Sequence, residues 1–309
     1  MTTDVQPGTT TPASNSRKMR QSKSGTGAGS ANWPVRVGML ILCIAWLVPA
    51  LGMLVNSFRP RDDQFSSGWW TAFFNPFTSS WTIENYTKAL TSDTSGIPMA
   101  QAFLNSFIVA LPATVIPILI ACFAAYAFTF MQWRGRDLMF VVIVGLLVVP
   151  NQVAFVPLVK LYGALGMNGT FPAVWLAHIG FGMPLAIYIL RTYMSGLPMA
   201  VVESAKIDGA SHFATFWRLI MPMSTPALAS FAIFQFLWVW NDLLVALIFL
   251  GRGENTVATV ALQGLQGQTG AGRELIPAAG FITIIVPILV FLSLQRYFIR
   301  GMTSGSVKG

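Results

Sequence analysis

The fold class that this sequence predicts is an all-α polytopic membrane protein. It has six transmembrane helices and one polar two-helix element on the cytoplasmic side. Three observations point there. Of 309 residues, 54% are hydrophobic and only 10% charged, against about 25% charged in an ordinary soluble domain. Six apolar runs recur along the chain, each near the ~20 residues needed to cross a hydrocarbon core. Between the fourth and fifth runs lies a polar interruption, residues 199–228, carrying Glu203, Lys206, Asp208 and Arg218.

The elements follow in order. Residues 1–32 are rich in Thr, Ser, Gly, Pro and Gln, a composition that cannot bury a core and reads as a disordered cytoplasmic tail. Their Gly-rich stretch, residues 25–29, has no strand before it and no helix pattern after it, so it does not read as a nucleotide loop. The first apolar run is 37–55, inside a helix expected over 33–57. Its polar lead is long and no small-residue cleavage site follows, so an uncleaved span is expected. A loop at 58–100, too polar to span, should form an external cap with a short helix near Glu84. The remainder, 101–300, holds the runs 103–130, 138–158, 171–190, 226–250 and 275–294, and 301–309 form a second short tail. In lipid each run must be helical, because no water is available to satisfy open backbone groups.

Charge sets the orientation. Nineteen Lys and Arg against eleven Asp and Glu give a net +8, and with the N-terminus inside, thirteen of the nineteen fall on the cytoplasmic side. That is the positive-inside pattern, with both termini cytoplasmic. The basic residues sit in the tail and at the ends of runs, which argues against a nucleic-acid partner. Cys43 and Cys122 both lie within apolar runs and read as small hydrophobes, with no disulfide framework and no metal site. The triplets at Asn85 and Asn168 match a glycosylation acceptor, a pattern common by chance.

The interruption has internal structure. Pro198 suits the start of a helix, residues 199–208 have helical composition, and Gly209 can end the helix without a Cβ penalty. Ser211 can cap a second helix. In it Phe213, Phe216, Trp217 and Ile220 fall on one face, with Pro222 expected to stop it and Pro226 to open the fifth span. Such a face needs a partner: the protein's own spans, lipid headgroups, or a groove in a cytoplasmic protein.

Glu203-Ser204-Ala205-x-x-Asp208-Gly209-Ala210, followed by Pro222 and Pro226, resembles the cytoplasmic E-A-A-x-x-D-G-A … I-x-L-P-x-x-x-P signature of ABC importer permeases. Ser204 stands for the first Ala and Met221 for the Leu. Further stretches are similar to the sugar branch, that of maltose-type second permeases. They are NSFIVALPATV from Asn105, FTFMQWRGRD from Phe128, VVPNQVAFVPL from Val148, FLWVWNDLLVALIFL from Phe236 and RYFIRGMTSGSVKG from Arg296. The text from Met167 onward looks like permeases for α-glucosides. The resemblance implies a carbohydrate importer whose ATP and Mg are bound by a separate dimer of ATPase subunits. It further implies a second permease subunit and an extracytoplasmic sugar-binding protein, with lipid around the spans. It makes Glu203, Ser204, Ala205, Asp208, Gly209, Ala210, Phe213, Trp217 and Pro222 the ATPase-coupling residues.

A substrate path is less defined. Asp242 is the one formal charge within any apolar run; it either faces a pore or makes a structural bond. Asn241 and Gln235 accompany it. Asn151 and Gln152 interrupt the third run beside Pro150, lining the path or bonding a neighbouring helix. His178 reads as a packing residue. The chain has no G-x-x-x-x-G-K-[ST] phosphate loop, so no catalytic residue and no cofactor of its own are expected. A secondary transporter would carry more ionisable residues in its spans. A membrane enzyme would need paired carboxylates or a metal motif, and the chain has two histidines, His178 and His212, and neither pattern.

Overall fold

The computed structural model describes residues 33–93, 96–266 and 272–303. The readings made for residues 1–32 and for the tail past Thr303 fall outside the described residues, as do Arg17, Lys18, Arg20, Lys23 and Lys308 in the charge count. The chain divides into two compact units, residues 1–48 and 49–309. The described part of the first is the N-terminal portion of helix α1 (Trp33–Ser57), whose apolar side chains stand exposed, Trp46 at 77%.

In the second unit the elements are helical throughout the described residues. A cap of three short helices, α2 (Arg61–Ser66), α3 (Trp69–Phe74) and α4 (Glu84–Thr91), follows α1. The long helix α5 (Met99–Phe130) is the centre of the bundle and packs on α8 (Phe171–Ser195) and α11 (Met221–Trp240); α11 also packs on α14 (Ile276–Thr303). Ala102, Ala110, Ala113, Ala121, Cys122 and Ala125 are all within 1% of full burial along α5. Small side chains at helical spacing let neighbouring backbones approach closely, the usual way to join helices in lipid.

Five helices are long and apolar enough to cross a membrane: Trp33–Ser57, Met99–Phe130, Phe171–Ser195, His212–Trp240 and Arg273–Leu294. In place of the one helix expected over 138–158 stands a pair, Arg136–Val148 and Asn151–Ala164, bent by 96°, which makes a sixth candidate span when the two are taken together. Its two α-helices, α6 (Arg136–Gly145) and α7 (Phe155–Ala164), have 10 residues each, about 15 Å at 1.5 Å per residue. Pro150 explains the break. It has no N–H to donate, and it forces its predecessor out of the helical region: Val149 sits at φ −77°, ψ 121°.

The fifth span also departs from expectation at both ends. Pro222 does not stop the helix. The stretch from α10 (His212–Thr215) through a π turn (Phe216–Ile220) into α11 is one continuous rod, His212–Trp240. The wider π turn sits just ahead of Pro222, where an α turn would press the proline ring against the carbonyl four residues back. At the other end the rod breaks at residues 241–243 before α12 (Leu244–Phe249). Side chains satisfy that break, as backbone at membrane depth requires. Asn241 Nδ2 donates to Leu237 O at 2.7 Å, Thr259 Oγ1 donates to Asp242 O at 2.7 Å, and Asp242 Oδ2 accepts from Ala246 N at 3.1 Å.

Candidate functional site

Two regions carry polar chemistry. The first is the interruption. Helix α9 (Met199–Ile207) starts after Pro198 and ends at Asp208, whose N–H returns to Ser204 O. Gly209 follows at φ +76°, a left-handed conformation that any side chain would strain. Ser211 Oγ then accepts from Ala214 N at 3.2 Å and caps α10, filling one of the open N–H groups of a new helix.

This element shows two faces. Val202 and Ala205 are buried, as are Phe216 and Ile220. Val202, Phe216 and Ile220 join a core cluster with Tyr126, Leu190 and Phe231. Glu203, Ser204, Lys206 and Asp208 face outward, and so do Ile207 (85% exposed) and Phe213 (68%). Trp217 is 41% exposed and touches Phe213 edge-on at 6.2 Å. The apolar face read from the sequence is therefore split: Phe216 and Ile220 belong to the bundle, while Phe213 and Trp217 are left toward the outside with Glu203. Ala210 is half-buried, its N–H bonded to Ala205 O at 2.9 Å, and Pro222 lies exposed in the rod.

Sequence reasoning missed the residues that anchor this element. Tyr126 Oη lies 2.9 Å from His212 Nδ1, Phe123 stacks on Phe216 with centroids 4.6 Å apart, and Tyr193 Oη donates to Met223 O at 3.2 Å. No local signal marks Tyr126 or Phe123, which lie in an apolar run 86 residues from His212.

The second region is a cavity of about 320 Å³ against the broken crossing. Its lining includes Asn151, Gly180, Gly182, Phe234, Gln235 and Trp238. Gln235 is 1% exposed and donates from Nε2 to Ala113 O at 3.2 Å. Gly182 makes room for it: a Cβ there would stand 2.7 Å from Gln235 Nε2. The structure thus brings Asn151 and Gln235 together, from spans that the sequence alone does not pair. Gln152 is exposed and outside this lining, and Asn241 turns back on its own helix. Asp242 lies elsewhere, with His178, Ser106 and Trp240 around a space of about 10 Å³. Asp242 Oδ2 is 3.8 Å from His178 Nε2. Among the described residues no group of three or more His, Cys, Asp or Glu could hold a metal ion.

The fold is that of a multi-pass helical membrane protein with a bent helix pair, a cavity beside it and an outward-facing two-helix element. The chain belongs to the family of binding-protein-dependent transport system inner membrane components, whose model matches residues 117–304 and so takes in both regions. An osmoprotective compounds uptake permease of Synechocystis sp. is 51% identical over 278 residues, covering 89% of this chain and 92% of that one. An α-glucoside transport system permease of Rhizobium meliloti is 39% identical, covering 90% and 97%. Among solved structures, a bacterial ABC transporter involved in import of the acidic polysaccharide alginate shares the fold, with a TM-score of 0.61 at 14% identity, over 86% of this chain and 95% of that one.

Proposed function

We propose that this chain is the permease subunit of an ATP-binding-cassette importer for a carbohydrate of the α-glucoside or oligosaccharide class. It forms half of the translocation path beside a second permease subunit. It performs no catalysis: ATP and Mg belong to a dimer of ATPase subunits on the cytoplasmic side, and an extracytoplasmic binding protein delivers the sugar. The family description and the α-glucoside relative support the cargo class. One observation carries the coupling assignment: α9 turns sharply at Gly209 and leaves Glu203, Ile207 and Phe213 facing outward, while Val202, Phe216 and Ile220 lock into the bundle. An element built this way passes force from a docked partner to α5 and α11.

The mechanism follows from those attachments. Closure of the ATPase dimer pushes the Glu203 helix, and the rod from His212 to Trp240 moves as one lever because it has no break before residue 241. The cavity beside Gln235 and Asn151 is lined in part by that lever, through Phe234, Gln235 and Trp238, and alternating access needs a site that opens to either side. Asn and Gln side chains offer both donors and acceptors to sugar hydroxyls, and Trp238 and Phe234 offer ring faces.

The test is reconstitution with the ATPase subunits, the second permease and the binding protein. Uptake should depend on ATP and stop with vanadate. Glu203→Lys should leave the chain inserted and either release the ATPase or let it hydrolyse without transport. Normal co-purification with full-rate uptake by this variant would remove the coupling assignment. The 51% relative favours a second reading of the cargo, an osmoprotective solute. Competition of labelled α-glucoside uptake by osmoprotectants separates the two.

A further inference from the structure

Residues 64–83 run for twenty positions without a charged side chain, although they lie in the cap rather than in a span. Seven aromatic residues occupy them, and the structure leaves most of these rings exposed: Phe65, Trp70, Phe73, Phe74 at 75%, Phe77 at 100% and Trp81. Such a patch in water is a liability unless something covers it.

We propose that α3 and the turn after it lie in the membrane–water interface, with this aromatic face inserted among lipids of the leaflet at the α1 C-terminus. Three observations select lipid as the occupant.

The first is depth. Trp69 packs against Gly52 of α1, so closely that a Cβ on Gly52 would stand 2.8 Å from the indole Nε1. Gly52 precedes the end of α1 at Ser57 by five residues, about 7.5 Å along a helix axis. Helix α3 therefore sits beside the last turns of a membrane span, not beyond them. The cap is pinned at that height: Asn85 Nδ2 donates to both Ser57 O and Arg59 O, and Gln64 Nε2 donates to Arg59 O at 2.9 Å.

The second is continuity. Leu51, Met53 and Leu54 of α1 are exposed next to Gly52, and on a spanning helix such a face meets acyl chains. The aromatic patch extends this surface sideways. Charged residues flank it on both sides in sequence, Arg61, Asp62 and Asp63 before and Glu84 and Lys88 after, as expected for a segment dipping between watery anchors.

The third is how the polar atoms are used. Thr71 Oγ1 donates to Gly68 O, Asn75 Nδ2 to Thr71 O, Thr78 Oγ1 and Ser79 Oγ to Asn75 O, and Trp81 Nε1 to Pro76 O. Thr71, Asn75, Thr78, Ser79 and the Trp81 indole are thus each engaged with one of the segment's own carbonyls. Local bonds of this kind also occur in watery turns, but they leave these side chains already partnered, as a segment entering a medium without hydrogen-bonding partners requires.

Spin labels test the proposal in proteoliposomes of the assembled importer. Cys43→Ala and Cys122→Ala remove the native thiols, and labels are placed at Phe74→Cys and Phe77→Cys. Leu51→Cys on α1 serves as the lipid reference and Lys88→Cys as the water reference. Collision with oxygen over collision with a nickel chelate should be several-fold higher at positions 74 and 77 than at 88, and close to the value at 51. Ratios like that at 88 overturn the proposal. So does low collision with both probes, which would mean that a partner subunit or the binding protein covers the patch. A second measurement needs no cysteine: vesicles brominated near the headgroup should quench tryptophan fluorescence, and Trp70→Phe should remove part of that quenching. An unchanged quench overturns the proposal independently.

Discussion

Tyr126 on α5 and His212 on α10 meet hydroxyl to ring nitrogen at 2.9 Å, with their rings edge-on at 6.0 Å. This contact ties the second helix of the outward-facing element to the central helix of the bundle. It stands next to the Phe123–Phe216 stack, so motion of the rod's first turns, α10 and the π turn, is transmitted to α5 through two neighbouring contacts. Tyr126→Phe removes the hydrogen bond and keeps the ring. The expected loss is about 1 kcal/mol of stability, with fewer solute molecules imported per ATP hydrolysed. Measuring uptake and hydrolysis on the same proteoliposomes checks this; an unchanged ratio would show that the contact transmits nothing.

Gly209 holds φ +76° between α9 and α10. A Cβ in that conformation costs roughly 1–2 kcal/mol for most residues, and less for Asn, which visits it readily. Gly209→Asn should therefore retain ATPase binding, Gly209→Val should weaken it, and Gly209→Pro should abolish it, since proline cannot reach a positive φ. Co-purification of the ATPase with the three variants reads this order directly. Equal recovery would detach the turn from docking.

Gly182 decides whether Gln235 can hold its place. Gly182→Ala would put a methyl within 2.7 Å of Gln235 Nε2, pushing the amide off Ala113 O and into the cavity. The expected result is a several-fold fall in uptake with ATPase association intact, and recovery to the level of Gln235→Ala alone when the two are combined, since that change clears the clash. Gln235→Ala alone should raise the apparent KM. Kinetics of labelled sugar uptake give both numbers, and full activity in Gly182→Ala would remove the cavity from the path.

For Asp242 the geometry sets two substitutions against each other. Its Oδ2 accepts from Ala246 N and so caps α12; loss of such a cap costs about 1 kcal/mol. Asp242→Asn keeps an acceptor oxygen and should leave thermal stability and uptake kinetics near wild type. Asp242→Leu should lower the unfolding temperature in detergent. A large KM change in Asp242→Asn, with stability held, would instead make the carboxylate a substrate contact.

The cap carries one more expectation. Arg59 is 2% exposed and donates to Asn56 Oδ1 and to the Ser67 and Asp63 carbonyls. Arg59→Met removes the charge and leaves those acceptors unsatisfied, at a cost of about 1–3 kcal/mol. Limited proteolysis between α2 and α3 should speed up accordingly, while spans and ATPase binding persist.

Much of this was legible locally. Apolar runs mark the helices because lipid allows no other backbone state, and α5, α8 and α14 fall where composition put them. Gly209 and Ser211 announce their turn and cap because those constraints act within a few residues. The misreadings fall at prolines. Pro150 breaks a crossing that hydropathy presents as whole, and Pro222 leaves intact a helix that it was expected to end. A proline's ring and missing N–H are fixed, but whether the helix absorbs them depends on whether a π turn and packed neighbours can take up the strain.

The sequence by itself determined the class, the five membrane-length helices and the bent polar element, since each follows from transfer free energy or from short-range dihedral limits. Tertiary structure alone decided which polar residues share a space. Asn151 and Gln235 line one cavity, Asp242 meets His178 and Tyr126 meets His212 because small residues on α5 let particular helices close on one another. Packing of that kind acts between residues tens of positions apart and leaves no periodicity to read.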